Sequence, residues 1–234
     1  MTTARIPDPT GDPDAAVVRR SVRMPLRLAD GSSVPARMST FHGLVDGREH
    51  VAIGLGDRAS DGVSDGASDG ASDGGERPGA GVPLVRLHSE CLTGDVLGSD
   101  RCDCGPQLQE AIYRLAAAGG YLLYLRQEGR DIGLYNKIDA YALQDDGLDT
   151  YAANRALGFA DDARDYTVAV QMLVALGVER LDLLSNNPDK AAQLEAAGLR
   201  VERRVRTGLH LSEVNHGYLA TKAAGGHVLH LPGS

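Results

Sequence analysis

From residue 84 onward the chain switches repeatedly between two hydrophobic periods, and that alternation narrows what it can fold into. Residues 84–88 and 121–126 are apolar runs of strand length, and 180–184 is a third. Between them, 107–118 sets Leu108, Ile112 and Leu115 at helical spacing and ends at Gly119-Gly120; 166–176 does the same with Val168, Met172 and Leu176. Asn187 ahead of Pro188 is a cap followed by a favoured first helical residue, so another helix starts there. Strands alternating with helices predict the α/β class: a mixed sheet covered by helices, three-layer α/β/α-like. Upstream, 25–28, 34–39 and 50–55 are short, partly alternating apolar runs separated by Asp30-Gly31 and Asp46-Gly47, which predicts a small β-rich amino-terminal part. In such sheets ligands sit beyond the carboxyl ends of strands, so the residues following these runs are the candidates for chemistry.

Residues 60–75 read SDGVSDGASDGASDGG, a unit that repeats an Asp and a Gly and buries nothing to offset chain entropy. It predicts a disordered insertion loop over 57–80; a calcium-binding repeat would need a longer period with an apolar position. Residues 1–22 are expected as a flexible extension and 23–234 as one catalytic domain. The chain has 24 basic and 32 acidic residues, a formal charge of −8. That disfavours nucleic acid as a partner, since duplex binding rests on many neutralised phosphates, but leaves room for a small anion held by a local cationic cluster. No apolar run approaches the roughly eighteen residues of a membrane span, and the amino terminus carries acids and prolines where a signal peptide would be apolar. A cytoplasmic location without membrane association is the expectation.

The run HSECLTGDVLGSDRCDCG holds all three cysteines, Cys91, Cys102 and Cys104. An odd, clustered set argues against a disulfide framework. Three readings stay open: a catalytic zinc with a fourth position free for water, a structural zinc completed by His88 or His216, or inert thiols. Glu90, beside the cluster, either moves protons or makes a salt bridge. A second run, RQEGRDIGLYNKIDAYALQDDGLDT, turns around Gly129 and presents Arg130 and Lys137, which suits phosphate oxygens or, equally, a solvated charged loop. A third, Ser185 to Lys190 in SNNPDK, places a hydroxyl and an ammonium at a helix amino terminus.

With VRLHSECLTGDVLGSDRCDCG, LRQEGRDIGLYNKIDAYALQDDGLDT, ANRALGFADDARDY and LLSNNPDK all present, the chain resembles GTP cyclohydrolase II, the first enzyme of riboflavin synthesis. The resemblance runs from about residue 51 to 227 apart from the insertion. It implies a zinc-dependent, magnesium-assisted hydrolase that opens the imidazole ring of GTP and releases formate and pyrophosphate, leaving 2,5-diamino-6-(5-phosphoribosylamino)pyrimidin-4-one. Zn2+ would be held by Cys91, Cys102 and Cys104, and Mg2+ would accompany the GTP phosphates. The implied GTP contacts are Arg86, Leu87, His88, Ser89, Glu90, Gln107, Glu128, Gly129, Arg130, Thr150, Ser185 and Lys190. Asp162 matches a proton acceptor, Tyr141 a tyrosine near the purine, and Arg164 a residue assigned as nucleophile; a guanidinium suits an electrostatic clamp better. A homodimer is also implied. Two alternatives stand beside the full reaction: a partial cyclohydrolase that keeps the formyl group, and a non-catalytic GTP-binding protein with structural zinc.

Overall fold

The computed structural model describes residues 15–60, 81–160 and 164–212, with a few isolated positions beyond. In chain order the strands are β1 (Val17–Arg23), β2 (Leu26–Arg27), β3 (Ser33–Val34), β4 (Ala36–His42), β5 (Val51–Leu55), β6 (Leu84–Ser89), β7 (Gly120–Leu125), β8 (Arg180–Leu184) and β9 (Arg200–Val205). The helices are α1 (Cys104–Ala118), α2 (Leu134–Asp145), α3 (Thr150–Ala156), α4 (Thr167–Ala175) and α5 (Pro188–Ala196). Seven strands form one mixed sheet in the order β1-β4-β5-β7-β6-β8-β9, and β2 pairs with β3 alongside.

Burial explains the layering. The central strands β6, β7 and β8 are covered on both faces, which is why their sequences are nearly continuous apolar runs. Val85, Leu87, Leu123, Leu125, Leu181 and Leu183 pack with Val168, Met172 and Leu173 of α4 and Leu194 of α5. Leu84, Leu122 and Leu184, on the opposite face, pack with Ala111, Ile112 and Leu115 of α1. The sheet is therefore sandwiched, as the alternation of periods predicts. The antiparallel half, β1, β4 and β5, is the expected β-rich part, joined to the parallel half where β5 meets β7.

Register positions the site. Strands β6 and β7 run parallel with Leu84 beside Gly120 and Ser89 beside Leu125, so both end at the same level. On the α1 face of β6 the pattern continues from Leu84 to Arg86 and His88, two buried polar residues where packing alone would place apolar ones. A Leu-to-Arg-to-His progression along one buried face marks the sheet's carboxyl edge as the functional one.

Some expectations shift. Val17–Arg23 is strand β1, paired antiparallel with β4, so the expected extension over 1–22 ends inside the sheet rather than before it. Its arginines belong to an edge strand, where charge is favoured against intermolecular pairing. Residues 1–14 and 61–80 lie outside the described residues, and with them most of the expected insertion 57–80; Gly56–Ala59 at its start is a 3-10 turn. The loop's two ends meet where Arg58 Nη2 donates to the Gly81 carbonyl at 3.0 Å. The polar stretch after Gly129 is mostly helical, forming α2 and α3. Among the described residues no helix is long and apolar enough to cross a membrane.

Candidate active site

Beyond the ends of β6, β7 and β8 lies a cleft that encloses ≈ 1100 Å3 of empty space including its open mouth. The three candidate runs converge here: the cysteine loop after β6, the Gly129 turn after β7 and the SNNPDK junction after β8 all line it.

The cysteine loop opens with a π-helical turn, Leu92–Val96, and closes where Cys104 begins α1. Its fold brings the Sγ atoms of Cys91, Cys102 and Cys104 within 4.8 Å of one another, with Cys91 and Cys102 at 3.6 Å. Gly94 makes this approach possible. A Cβ there would stand 2.7 Å from Cys102 Sγ, closer than real side chains come, and 3.2 Å from Cys91 Sγ, a tight contact. Asp95 fixes the turn from beneath: its carboxylate accepts the Cys91 backbone N–H at 3.0 Å, the Tyr124 hydroxyl at 2.9 Å and His88 Nε2–H at 3.0 Å.

Lys137 of α2 is a buried ammonium that donates to Cys91 Sγ at 3.1 Å, Thr93 Oγ1 at 2.9 Å and Glu128 Oε1 at 2.8 Å. Burial works against its charge, but the Glu128 hydrogen bond and the negative charge of Cys91 outweigh it and hold the lysine protonated. Hydrogen bonds from Cys102 and Cys104, reinforced by Lys137, push the Cys91 thiol strongly down, so it is the thiolate of the cluster. At Cys102 the bond to Cys104 favours ionisation, yet the bond to Cys91, burial and the Cys91 charge prevail and push its thiol up to about 11. The protein thus favours the charge on Cys91 and disfavours it on Cys102, which a cation among the sulfurs would reverse. Three convergent sulfurs without a disulfide form a soft donor set that fits Zn2+ and leaves a fourth coordination position to be filled. Among the described residues no histidine or carboxylate joins the group; His88 is turned to Asp95, and His216 lies outside the described residues.

Tyr141, one helical turn after Lys137, lines the same cleft. Its ring lies 5.7 Å from Lys137 Nζ and 4.5 Å from the Arg101 guanidinium, which is itself held by Asp145. Burial raises its hydroxyl above the usual value against the pull of Lys137, so it is a neutral donor.

The rest of the cleft is cationic. Arg86 donates from Nη1 to the Leu184 carbonyl at 3.1 Å and from Nη2 to Gln107 Oε1 at 2.7 Å. Its Nε, like His88 Nδ1, is buried with no hydrogen-bond partner among the described residues. Such orphans at a cleft are what a bound ligand or water satisfies. Lys190 Nζ donates to the Leu87 carbonyl at 2.7 Å, and Ser185 Oγ accepts the Asn187 N–H at 3.0 Å, where Asn187 caps α5 as the sequence predicts. Arg130 lies over the Tyr151 ring at 4.7 Å, Thr150 opens α3, and Arg164 sits 6.0 Å from the Tyr166 ring.

Nearly all the expected site residues line this one cleft. Leu87 does not: its side chain is in the α4 core and only its carbonyl faces Lys190. Asp162 lies outside the described residues. Glu90 Oε2 accepts a 2.8 Å hydrogen bond from Arg126 Nε, the salt bridge of its two readings. Glu128, expected as a ligand contact, has both carboxylate oxygens engaged internally, by Lys137 and the Leu92 N–H at 2.7 Å. Sequence reasoning missed Asp95 and Gln127. The latter accepts from Ser89 Oγ at 3.3 Å and donates to the Asp165 carbonyl, tying β6 to the segment that carries Arg164. Both lie inside the quoted runs, but nothing local marks either one as a site residue.

A mixed sheet with a three-thiol cluster able to hold a metal ion and a cationic cleft at its carboxyl edge defines an α/β protein whose site suits an anionic ligand beside such a cluster. A family model described as GTP cyclohydrolase II matches residues 19–206. GTP cyclohydrolase-2 of Psychromonas ingrahamii is 46% identical over 213 residues, covering 90% of this chain and 96% of that protein. GTP cyclohydrolase-2 of Aliivibrio fischeri is 47% identical over 207 residues, 88% of this chain and 95% of the relative. Riboflavin biosynthesis protein RibBA of Bacillus subtilis is 52% identical over 188 residues, 80% of this chain but 43% of the longer protein. The chain belongs to the GTP cyclohydrolase II family.

Proposed function

We propose that the chain hydrolyses GTP to 2,5-diamino-6-(5-phosphoribosylamino)pyrimidin-4-one with release of formate and pyrophosphate, the first step of riboflavin-type biosynthesis. The observation that carries this reading is that one cleft joins a three-sulfur cluster to several cations and a helix amino terminus. Ring opening needs an activated water; departure of pyrophosphate needs positive charge along a phosphate chain.

Cys91, Cys102 and Cys104 would hold Zn2+, which supplies Lewis acidity to activate water near neutral pH. Lys137, buried against Cys91, helps keep that sulfur ionised and screens its charge. Tyr141, neutral and half-buried beside the sulfurs, donates its O–H to the purine as the ring opens. Asp162 is assigned the proton acceptor on the family match. Arg86, Arg130 and Lys190 bind triphosphate oxygens, with Mg2+ accompanying the phosphates. The Arg86 Nε–H is then satisfied by substrate rather than by protein. Arg164 acts as an electrostatic clamp on the α-phosphate: a guanidinium, with its pKa above about 12, is protonated and so a poor nucleophile. Ser89, Gln107, Gly129, Thr150 and Ser185 complete the contacts, Leu87 contributes its backbone, and Glu90 and Glu128 organise the walls. The active form is a homodimer.

Incubating the protein with GTP, zinc and magnesium and identifying products by mass tests the reading. One formate and one pyrophosphate per GTP are expected. Pyrophosphate without formate refutes the full reaction, and tight GTP binding without turnover refutes the enzyme.

A further inference from the structure

The turn that follows β7 is held in a costly backbone conformation by residues that do not line the cleft. Gly129, Arg130 and Asp131 follow one another at φ 64°, 62° and 74°, a left-handed run in which two of three residues carry side chains. Such a run persists only where its surroundings over-determine it. Part of the determination is internal: the Asp131 and Gly133 N–H groups donate to the Glu128 carbonyl at 3.1 and 3.0 Å. The rest comes from the segment that leads into β5. Arg48 Nη1 donates to the Arg126 carbonyl at 2.9 Å and pairs with Asp131 Oδ1. His50, buried, accepts the Arg126 backbone N–H on Nδ1 at 2.9 Å, so its proton is on Nε2, which donates to Asp46 Oδ2 at 2.8 Å. Asp46 Oδ1 also accepts the Arg48 N–H at 3.1 Å. Both backbone groups of Arg126 and the side chain of Asp131 are therefore gripped from the antiparallel half of the sheet.

What hangs from this turn is the machinery described above. Glu128 at its start orients Lys137 and the first N–H of the cysteine turn. Arg130 at its apex lines the cleft. A shift of the turn moves a phosphate-binding guanidinium and the carboxylate behind the sulfur cluster together.

We propose that Arg48 and Asp131, seated on the His50–Asp46 pair, are positioning residues for nucleotide binding: a bracket that keeps the turn after β7 in its left-handed form so that Arg130 meets the triphosphate. This rests on the reading of the cleft as a GTP site. Neither residue touches substrate, so their effect appears mainly in KM. Arg48 is partly exposed, and its truncation leaves the core intact.

The test uses the zinc-loaded full chain with Arg48→Ala, Asp131→Ala, the double variant, Asp131→Asn and Asp131→Gly, measuring KM for GTP, kcat, zinc content and Tm. Each alanine variant is expected to raise KM by about tenfold, the scale of a small misplacement in a binding site, with kcat and zinc content changed far less. The double variant should be no worse than the more affected single one, because both substitutions break the same contact. Asp131→Asn keeps an acceptor for Arg48 and tolerates a left-handed backbone, so it recovers most of the affinity. Asp131→Gly relaxes the backbone but lacks the carboxylate and stays impaired. A parental KM in Arg48→Ala or Asp131→Gly, additive penalties in the double variant, or an asparagine variant no better than alanine overturns the bracket. Turnover of GTP by the parent chain with those results sinks this inference alone; no turnover by the parent sinks the functional reading and the inference with it.

Discussion

Gly94 is the position at which the sulfur cluster has least room. A methyl group there would press on two of the three sulfurs at 2.7 and 3.2 Å, and neither can retreat without leaving the group. Gly94→Ala is therefore expected to lower zinc content and reduce kcat/KM by about tenfold or more, as displacement of a coordinating group does; atomic absorption alongside GTP turnover checks it. Cys102→Ser is expected to abolish ring opening and lower zinc content, and full activity in a metal-poor variant would contradict the ligand assignment. The three thiols were legible in the sequence because cysteine is rare and these cluster within fourteen residues. Lys137 and Tyr141 were each visible, but their partnership was not. Positions four apart face each other only on a helix, and α2 hides its period: its buried residues are Lys137 and Ala140, which leave almost no apolar stripe to read. Asp95 was illegible for a related reason. An acid in a Gly-containing turn looks solvated, and only the folded turn shows it beneath His88, Tyr124 and Cys91.

At the scale of elements, what was legible follows burial on two faces. The strands β6, β7 and β8 and the Asn187-capped α5 announce themselves because continuous apolar runs and capping chemistry are local signals. The edge strands β1 and β9 do not, since Arg-rich sequences with one half-buried face resemble loops. Strand β9 leads into a segment latched to α1 through Glu110, whose carboxylate accepts the Gly208 N–H at 2.9 Å and pairs with Arg114 and His210, each at 2.8 Å. Partial burial raises the Glu110 pKa, but the Gly208 N–H, Arg114 and His210 together hold it below the usual glutamate value. A carboxylate whose folded pKa is depressed stabilises fully above its unfolded pKa and loses that contribution as pH falls through the folded one. The latch should thus be intact at neutral pH and released on acidification below about pH 4.3, the ordinary glutamate value. Glu110→Gln should lower Tm at pH 7 while narrowing its difference from the parent toward pH 3, a trend that thermal melts across pH would show. An equal gap at every pH would assign the effect to packing instead.

On the scale of the whole molecule, the sheet's carboxyl edge gathers one loop from each of three adjacent parallel strands, and the chemistry follows from that gathering. The described flanks of the insertion after β5 lie outside this arrangement. Its ends are joined by Arg58 and Gly81 beside the opposite, amino-terminal end of β6. Loop-closure entropy changes by only about 0.6 kcal/mol for each halving of loop length. Deleting residues 60–75 is accordingly expected to leave kcat/KM within about twofold and Tm nearly unchanged, and a large loss of turnover would show that the repeat takes part in the reaction.

The account turns on a thiolate-held metal facing the base of a guanine nucleotide. A crystal structure of the zinc-loaded chain with a non-hydrolysable GTP analogue, the metal located by its anomalous signal, tests this most directly. The account predicts one zinc bound by Cys91, Cys102 and Cys104, with the purine against its remaining position and the triphosphate reaching Arg86, Arg130 and Lys190. A protein side chain filling that position, or a base bound away from the sulfurs, would contradict it.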